Sequence, residues 1–343
     1  MVSTPAGEPD DESDFDLDRR EPTMTLARWR RFVDTQPAAF TLLSDQQWMD
    51  LDDEQHDAYD ENRISYHSEM IVVATSLVRQ VARQGRLLTM LNRREISARR
   101  MMILSGLQTT GKTTALKQLG RMHELRLRER QPGRMSDRIP VVYVSTPPKG
   151  SPRKLAAEFA RFLGLPPVKR IYNTTDITDA VCEILIKAKV ELVLVDEIHN
   201  LNLATAAGED MSDHLKYFTE HLPATFVYAG IDVPRRLSGV RGAQILGRSV
   251  VINTGPIPYG DEWKAMITTL EDALRLHRHK DGTLLRNAKY LHQRTGGMIG
   301  SLSHLVRASA QTAILEGQEA ITRKLMDTIP VDYIAESDGD TAA

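Results

Sequence analysis

The feature that most constrains this chain is an eight-residue run, G-L-Q-T-T-G-K-T, at positions 106–113. It follows an apolar stretch of strand length, residues 101–105, and leads into a helix-like stretch that begins near Ala115. Glycines and a Lys-Thr pair at this spacing, between a strand and a helix, predict a P-loop whose backbone N–H groups ring the oxygens of a polyphosphate. The fold must therefore bring the carboxyl end of a strand against the amino end of a helix.

Each fixed position of this run has a chemical role. Gly106 and Gly111 permit backbone conformations that a side chain would block. Lys112 supplies a positive charge for the β and γ phosphates, and the hydroxyl of Thr113 is a ligand for Mg²⁺. The alternative is a glycine-containing strand-to-helix turn that matches the spacing by chance.

Residues 192–197 form a second short apolar run, L-V-L-V-D-E, which ends in two carboxylates. Such a run predicts a buried parallel strand that delivers acids to the carboxyl edge of a sheet. Asp196 would hold the Mg²⁺ shell, and Glu197 would polarise the water that attacks the γ-phosphate. Taken alone, the run also fits an ordinary core strand. The predicted nucleotide-binding residues are Gly106, Thr109, Thr110, Gly111, Lys112, Thr113, Thr114 and Asp196, with Thr113 and Asp196 as metal ligands.

Further apolar runs predict the rest of the fold. Strands are expected at residues 140–144, 224–230 and 249–252, and strand and helix patterns alternate along the chain. This alternation is typical of an α/β three-layer core with a mostly parallel sheet. Beyond Pro256 the apolar spacing is helical, which predicts a small bundle. The predicted division is an acidic disordered tail (1–22), an N-terminal helical extension (23–98), a P-loop nucleotide-binding core (99–255), a helical lid (256–330) and a C-terminal tail (331–343).

Local signals predict several helix ends. Ser44 and Gln47 have the spacing of a capping box that opens a helix through residue 51. Apolar positions from residue 66 to residue 81 predict one longer helix. The hydroxyls of residues 173–176 are candidate caps for a helix that begins near Ile177.

Composition excludes several classes of protein. The 343 residues are 41% hydrophobic and 26% charged, and the sequence has neither a membrane-length apolar run nor a signal-peptide pattern, so we expect a cytoplasmic protein. Its single cysteine, Cys182, excludes an internal disulfide and is expected to fill the core. The net charge is −2, but residues 8–18 are acidic at nearly every second position, so the remainder is basic.

Basic and polar residues cluster in loops that follow the second predicted strand. Lysine, arginine and threonine in such loops are the residue types that grip nucleic-acid phosphates without reading sequence, although they also fit a solvated surface. The candidate contacts are Lys149, Arg153, Lys154, Lys169, Arg170 and Thr174.

Arginines also precede the fifth predicted strand. Oligomeric ATPases present an arginine from this position to the γ-phosphate of a neighbouring subunit, where it stabilises transferring charge. Arg248 is the first candidate and Arg241 the second, although each also fits an ordinary surface arginine. The predicted catalytic residues are Lys112, Glu197 and Arg248.

Three segments resemble the TniB and TnsC transposition ATPases: residues 140–148 (PVVYVSTPP), 196–201 (DEIHNL) and 296–305 (GGMIGSLSHL). The resemblance extends over residues 44–330, and phage Mu B protein is a functional relative. It implies an AAA+ fold that binds ATP and Mg²⁺, assembles as a ring or helical filament on double-stranded DNA, and directs a transposase, with a target-selector protein as a further partner. It also implies that Lys149 and Lys169 lie in DNA-facing loops. His199 belongs to the family signature and is expected to be structural, whereas Asn200 is a candidate to orient Glu197.

The chain departs from the AAA+ pattern at two points. Ile231 follows the fourth strand where many AAA+ enzymes carry a polar sensor, with Asp232 as the nearest substitute, and residues 296–300 contain no arginine for a second sensor. We therefore expect slow ATP hydrolysis that DNA or a transposition partner stimulates. Two alternatives remain open: a signalling or defence NTPase switch that acts through a protein partner without DNA, and a replication-initiator or helicase-loader ATPase. Residues 329–343 are too few for a winged-helix DNA reader, which weakens the last alternative.

Overall fold

The computed structural model describes residues 23–69, 72–133, 137–166, 173–201, 206–237 and 240–331. The predictions for the acidic tail, for Lys169 and Arg170, and for all but the first residue of the C-terminal tail lie outside these ranges.

The core of the molecule is a five-stranded sheet in which all described strand pairs are parallel. Its strands are β1 (Met101–Gly106), β2 (Val141–Ser145), β3 (Leu192–Asp196), β4 (Thr225–Gly230) and β5 (Ser249–Thr254). They lie in the order β2-β3-β4-β1-β5. The order places β1 and β3 on either side of β4, with their carboxyl ends at one edge. The structure confirms the predicted α/β class and all five predicted strands.

Helices occupy the connections between strands and both ends of the described part of the chain. Those before and within the sheet region are α1 (Leu26–Asp34), α2 (Asp45–Met49), α3 (Asp53–Ser68), α4 (Ser76–Asn92), α5 (Lys112–Arg130), α6 (Pro152–Phe162), α7 (Thr174–Lys187), α8 (Ala206–His221), α9 (Val233–Arg236) and α10 (Val240–Gly247). The C-terminal helices are α11 (Asp261–Asp272), α12 (Thr283–Arg286), α13 (Ala288–Thr295), α14 (Ile299–Leu315) and α15 (Arg323–Thr328). Among the described helices, none combines the length and apolarity needed to span a bilayer.

Capping side chains explain where the helices differ from the sequence predictions. The Ser44 and Gln47 capping box is present, but its helix ends at Met49. The predicted long helix from residue 66 to residue 81 is wrong, because Glu69 is extended and the hydroxyl of Thr75 accepts a hydrogen bond from Val78 N and starts α4 anew. Helix α7 begins at Thr174, earlier than predicted, because its cap is the Asn173 amide oxygen, which accepts from the backbone N–H of Asp176 over 2.8 Å.

The described residues form two hydrophobic cores. One surrounds the sheet and includes Trp29 of α1 and Val81 of α4. The other lies among the C-terminal helices around Trp263 and Leu302, and Ile64 of α3 packs against it. The N-terminal extension thus packs against both the sheet core and the C-terminal helices, here called the lid, and the predicted division into domains stays a prediction. Cys182 fills the sheet core as expected, and burial raises the pKa of its thiol to about 12.

A buried ion pair fastens α3 to the lid. Arg63 donates to both carboxylate oxygens of Glu319, over 2.6 and 2.7 Å, and the two side chains are 0% and 2% exposed. Glu319 also accepts from the backbone N–H of His277 over 3.0 Å. Burial alone would raise the pKa of Glu319, but the hydrogen bonds from Arg63 and His277 outweigh it and lower that pKa. Arg63 also donates to Asp60 Oδ1 over 2.5 Å, but Asp60 is 33% exposed, so Glu319 is its main buried partner.

Glu319→Ala should destabilise the protein strongly, because it leaves the buried Arg63 guanidinium without its main partner. We expect a loss of about 3–5 kcal/mol in the free energy of unfolding, measured by urea denaturation. The control is Glu183→Ala, which removes the exposed ion pair with Lys187 and should leave the midpoint nearly unchanged. Equal shifts for the two variants would contradict this role.

Candidate active site

The predicted P-loop connects β1 to α5 at the carboxyl edge of the sheet. Gly111 is the N-cap of α5 and has a φ of +85°, in the left-handed region where a side chain is strained. The loop therefore turns directly into the helix, and the unpaired N–H groups of the first helical turn face the loop. This arrangement is able to hold an anion.

Gly106 is required for a different reason from the one predicted. It is a strand residue paired with Thr254 of β5, and its φ lies outside the left-handed region. A Cβ at this position would lie 2.0 Å from the Thr254 carbonyl oxygen and 2.3 Å from its hydroxyl oxygen. The glycine thus permits close approach of two strands rather than an unusual backbone angle.

Lys112 is folded into the loop. The residue is 8% exposed, and its ammonium donates to the carbonyl oxygens of Gly106, over 2.9 Å, and Leu107. Burial lowers the pKa of Lys112, while the carboxylates of Asp196 and Glu197 act in the opposite direction. Backbone carbonyls satisfy this ammonium, and its flexible stem allows it to turn toward a phosphate.

Asp196 is buried and its carboxylate is fixed by two hydrogen bonds. The residue is 2% exposed at the end of β3. Its Oδ1 accepts from the backbone N–H of Glu197 over 2.9 Å, and its Oδ2 accepts from the Tyr143 hydroxyl over 3.1 Å. Burial is the main cause that raises the pKa of Tyr143, and the charge of Asp196 raises it further. The phenol therefore stays protonated and donates its hydrogen bond to Asp196.

Glu197 begins a short 3-10 turn, Ile198–Asn200, and has a φ of +56° and a ψ of 32°. A left-handed backbone at a residue other than glycine costs about 1 kcal/mol or more and is found most often at functional sites. The Glu197 side chain is 44% exposed, so the carboxylate can reach solvent in the cleft.

His199 holds the Glu197 carboxylate, a contact that the sequence prediction missed. Its Nδ1 accepts from the backbone N–H of Ile231 over 3.3 Å, so a neutral ring carries its proton on Nε2. Nε2 lies 3.2 Å from Glu197 Oε2. His199 therefore joins Glu197 to the end of β4, where the polar sensor is absent. The i, i+2 spacing of Glu197 and His199 was the only signal in the sequence, and it does not specify a contact.

Asn200 does not orient Glu197, so that prediction is wrong. Its side-chain amide donates to the Thr146 carbonyl oxygen over 2.9 Å. The backbone N–H of Gly150 in turn donates to the Asn200 carbonyl oxygen over 3.1 Å, and that of Thr146 to the Asp196 carbonyl oxygen over 2.9 Å. Three hydrogen bonds thus join the loop after β2 to residues 196–200, and two of them reach Asn200 in the turn after Glu197.

A cleft of about 540 Å³ brings the two motifs together. Its walls come from the P-loop, from residues 72–78 and 253–258, and from the start of α14 in the lid. This volume suits a ligand of nucleotide size. The sequence-predicted residues that line it are Thr109, Thr110, Gly111, Lys112, Thr113, Thr114 and Glu197.

The lid touches the P-loop directly. The backbone N–H of Gly300 donates to the Thr109 carbonyl oxygen over 3.0 Å, and a Cβ at Gly300 would lie 3.0 Å from the same atom. Glu262 of the lid accepts from the backbone N–H of Ser76 in α4 over 2.6 Å. Gly300, His304 and Arg307 line the cleft. The sequence predicted no role there for any of them, although Gly300 and His304 lie in the 296–305 segment.

Arg248 lies away from the cleft. It precedes the first residue of β5, whereas Thr254 at the other end of that strand pairs with Gly106. A strand of six residues is about 17–20 Å long, so Arg248 is at the opposite edge of the sheet. Its guanidinium lies 3.7 Å from Glu220. A catalytic role within the same subunit is excluded, and a role in a neighbouring subunit stays a prediction. The side chain of Arg241 lies outside the described part of the chain.

The described basic candidates lie in the loop after β2 and at two helix starts. Lys149 is exposed and has a φ of +52°. Its backbone carbonyl oxygen accepts a hydrogen bond from the Lys154 ammonium over 3.1 Å. Arg153 lies in the first turn of α6, and Thr174 is the first residue of α7. Their role in DNA binding stays a prediction.

Gly106→Ala should disrupt the β1 and β5 pairing, since the new Cβ overlaps a backbone oxygen that cannot move alone. We expect a loss of about 1–3 kcal/mol or more in stability, measured by thermal unfolding. Gly247→Ala is the matched control, because a Cβ there meets nothing within 4 Å. Gly106→Ala combined with Thr254→Ala should not restore stability, since the carbonyl oxygen remains. Full restoration would mean that only the side chains clash.

The comparisons with known proteins agree with this geometry. A family model described as "Bacterial TniB protein" matches residues 63–237. No curated protein matches the chain. The Orc1 protein of Aeropyrum pernix, solved in complex with DNA, is 16% identical with a TM-score of 0.57, and the match covers 80% of this chain and 67% of that chain.

Two further solved structures give the same result. The Orc2 protein of Aeropyrum pernix in its ADP form is 18% identical with a TM-score of 0.56, with 78% of this chain and 71% of that chain covered. Cdc6p from Pyrobaculum aerophilum is 18% identical with a TM-score of 0.52, and the match covers 74% of this chain and 66% of that chain. At this identity the likeness shows the fold alone, which is that of the AAA+ P-loop ATPases.

Proposed function

Because this chain belongs to the TniB family, we propose that it is a DNA-binding AAA+ ATPase that assembles on target DNA and recruits or activates a transposase. The observation that supports the proposal is that the P-loop, Glu197 and the lid meet in one cleft. Asp196 lies beside Glu197 at the end of β3. ATP is the proposed ligand of this cleft.

The residues present fit a magnesium-bound triphosphate. Thr109 Oγ1 is buried and has no hydrogen-bond partner among the described residues, so a phosphate oxygen would satisfy it. Lys112 and the N–H groups at the start of α5 would hold the phosphates. Thr113 and Asp196 would hold Mg²⁺, which offsets the negative charge of the phosphate oxygens when bound. Glu197, held by His199, would orient the attacking water and polarise it.

The loop after β2 supports a link between DNA binding and hydrolysis. Lys149 and Lys154 lie in or next to this loop, and its hydrogen bonds through Thr146 and Gly150 reach the turn that follows Glu197. Phosphates that bind the lysines would therefore act on a segment adjacent to the hydrolytic acid. Arg248 of one subunit would complete the site of the next, so assembly would also increase turnover.

A replication-initiator-like ATPase is the second candidate, because the same fold is seen in the Orc1 structure. It shares the ATP and DNA requirements of the first candidate and differs in its protein partner. A signalling switch would bind nucleotide without responding to DNA.

Variants of the cleft separate nucleotide binding from hydrolysis. Lys112→Ala should weaken ATP binding about 10-fold or more, since it removes the main phosphate charge. Glu197→Gln should keep ATP binding but lower hydrolysis about 100-fold or more. His199→Ala should lower hydrolysis less, and should add nothing in the Glu197→Gln background because both act on one step. Calorimetry and phosphate release measure the two effects, and wild-type turnover by Glu197→Gln would refute the assignment.

Charge reversal of the loop after β2 tests the DNA interface. The double variant Lys149→Glu and Lys154→Glu should abolish DNA-stimulated hydrolysis and filaments on duplex DNA with an ATP analogue, while basal hydrolysis stays unchanged. The wild-type assembly should weaken as salt rises. Lys187→Glu with Lys189→Glu is the matched control, because these residues lie just before β3, at the opposite edge of the sheet.

Two results would count against the DNA interface. Equal loss in both double variants would place the contact elsewhere. A wild-type protein whose turnover and assembly ignore DNA would favour the signalling switch.

A further inference from the structure

The N-terminal helix α1 reaches the end of β3 through two aromatic side chains. Trp29 of α1 is fully buried, and its ring stacks on Tyr143 of β2 with 5.9 Å between ring centroids and 12° between ring planes. The hydroxyl of Tyr143 donates to Asp196 Oδ2 over 3.1 Å. These contacts form a continuous connection from the N-terminal extension to the proposed metal-binding carboxylate.

Trp29 is seated on α5, the helix that begins at Lys112. Its indole N–H donates to Glu124 Oε2 over 2.7 Å. Its ring covers Gly120, where a Cβ would lie 2.7 Å from the indole, so any side chain there would displace it. Arg121 also donates to the Val33 carbonyl oxygen over 3.1 Å. Helix α1 therefore has a specific site on the helix that carries the P-loop lysine.

Lys117 also restrains Tyr143. It lies one turn after Thr113 on α5, and its ammonium is 5.1 Å from the centroid of the tyrosine ring. A cation near an aromatic face is attracted to it, and more so where water is excluded. Tyr143 is thus held by α1, by α5 and by its own strand, and its hydroxyl has little freedom.

We infer that Trp29 and Tyr143 position Asp196 for Mg²⁺, so that α1 sets the metal affinity of the nucleotide site. The inference rests on the proposed function, because it requires a magnesium nucleotide in the cleft. Tyr143 and the Glu197 N–H each occupy one carboxylate oxygen, which fixes the carboxylate plane before any ligand arrives. Hydrogen bonds that orient a metal ligand in this way typically change metal affinity about 10–100-fold when removed.

The test measures binding of a fluorescent ATP analogue to the full-length protein, first in EDTA and then during Mg²⁺ titration. Tyr143→Phe removes only the hydroxyl. We expect its affinity in EDTA to stay within about 2-fold of wild type and its half-saturating Mg²⁺ concentration to rise about 10-fold. Trp29→Phe should shift the Mg²⁺ midpoint in the same direction by a smaller factor. The double variant should match Tyr143→Phe, because the tryptophan acts through the tyrosine.

Tyr290→Phe is the matched control, because its hydroxyl also donates to an aspartate, Asp327, over 2.5 Å, in the lid. It should leave the Mg²⁺ midpoint unchanged. An unchanged midpoint in Tyr143→Phe, or equal weakening in EDTA and in Mg²⁺, would overturn the inference and leave the proposed function intact. A wild-type protein that binds no nucleotide would overturn both. Should Tyr143→Phe fail to fold, Trp29→Phe alone decides by the same midpoint.

Discussion

The parallel register of the sheet is the constraint on which the rest of this structure depends. Strands in a sheet lie about 4.8 Å apart, so β1 and β3, separated only by β4, end about 10 Å from each other. The P-loop leaves one strand and Asp196 ends the other. Because every described pair is parallel, the loop, the acids and the loop after β2 all emerge at the same edge. If one of these strands ran antiparallel, the loop or acid that follows it would lie at the opposite edge of the sheet, where Arg248 lies.

The hydrogen bonds at this edge give each carboxylate a separate environment. Asp196 is buried and accepts two hydrogen bonds, whereas Glu197 is partly exposed and is held by one histidine. Two adjacent acids in one sequence motif therefore suit different tasks, metal binding and water activation, because their surroundings differ. His199 also accepts from the backbone N–H of Ile231, so it links the end of β4 to Glu197 although Ile231 carries no polar side chain.

The strands and the two motifs were predictable from the sequence because both are local patterns. Apolar runs bounded by polar residues located all five strands, and the spacing of Gly106, Gly111 and Lys112 located the loop. Helix ends were less predictable, since a single cap such as Thr75 divides what periodicity alone joins. The contacts that shape the site were not predictable, because they pair residues distant in sequence: His199 with Ile231 across 32 positions, Tyr143 with Asp196 across 53, and Arg63 with Glu319 across 256. No spacing rule connects such residues, and only the folded sheet and bundle bring them together.

The interruption between α3 and α4 has a mechanical consequence. Helix α3 is fixed to the lid by Arg63, while α4 packs on α5 beside the sheet. The chain therefore passes between sheet and lid three times, once between α1 and Phe40, once near Val73 and once near Pro256, and the last two passages border the cleft. Hydrogen bonds from Gly300 to Thr109 and from Ser76 to Glu262 add direct attachments between the lid and the rest of the molecule. Any opening of this cleft accordingly moves three connecting segments at once, and two of them form part of its rim.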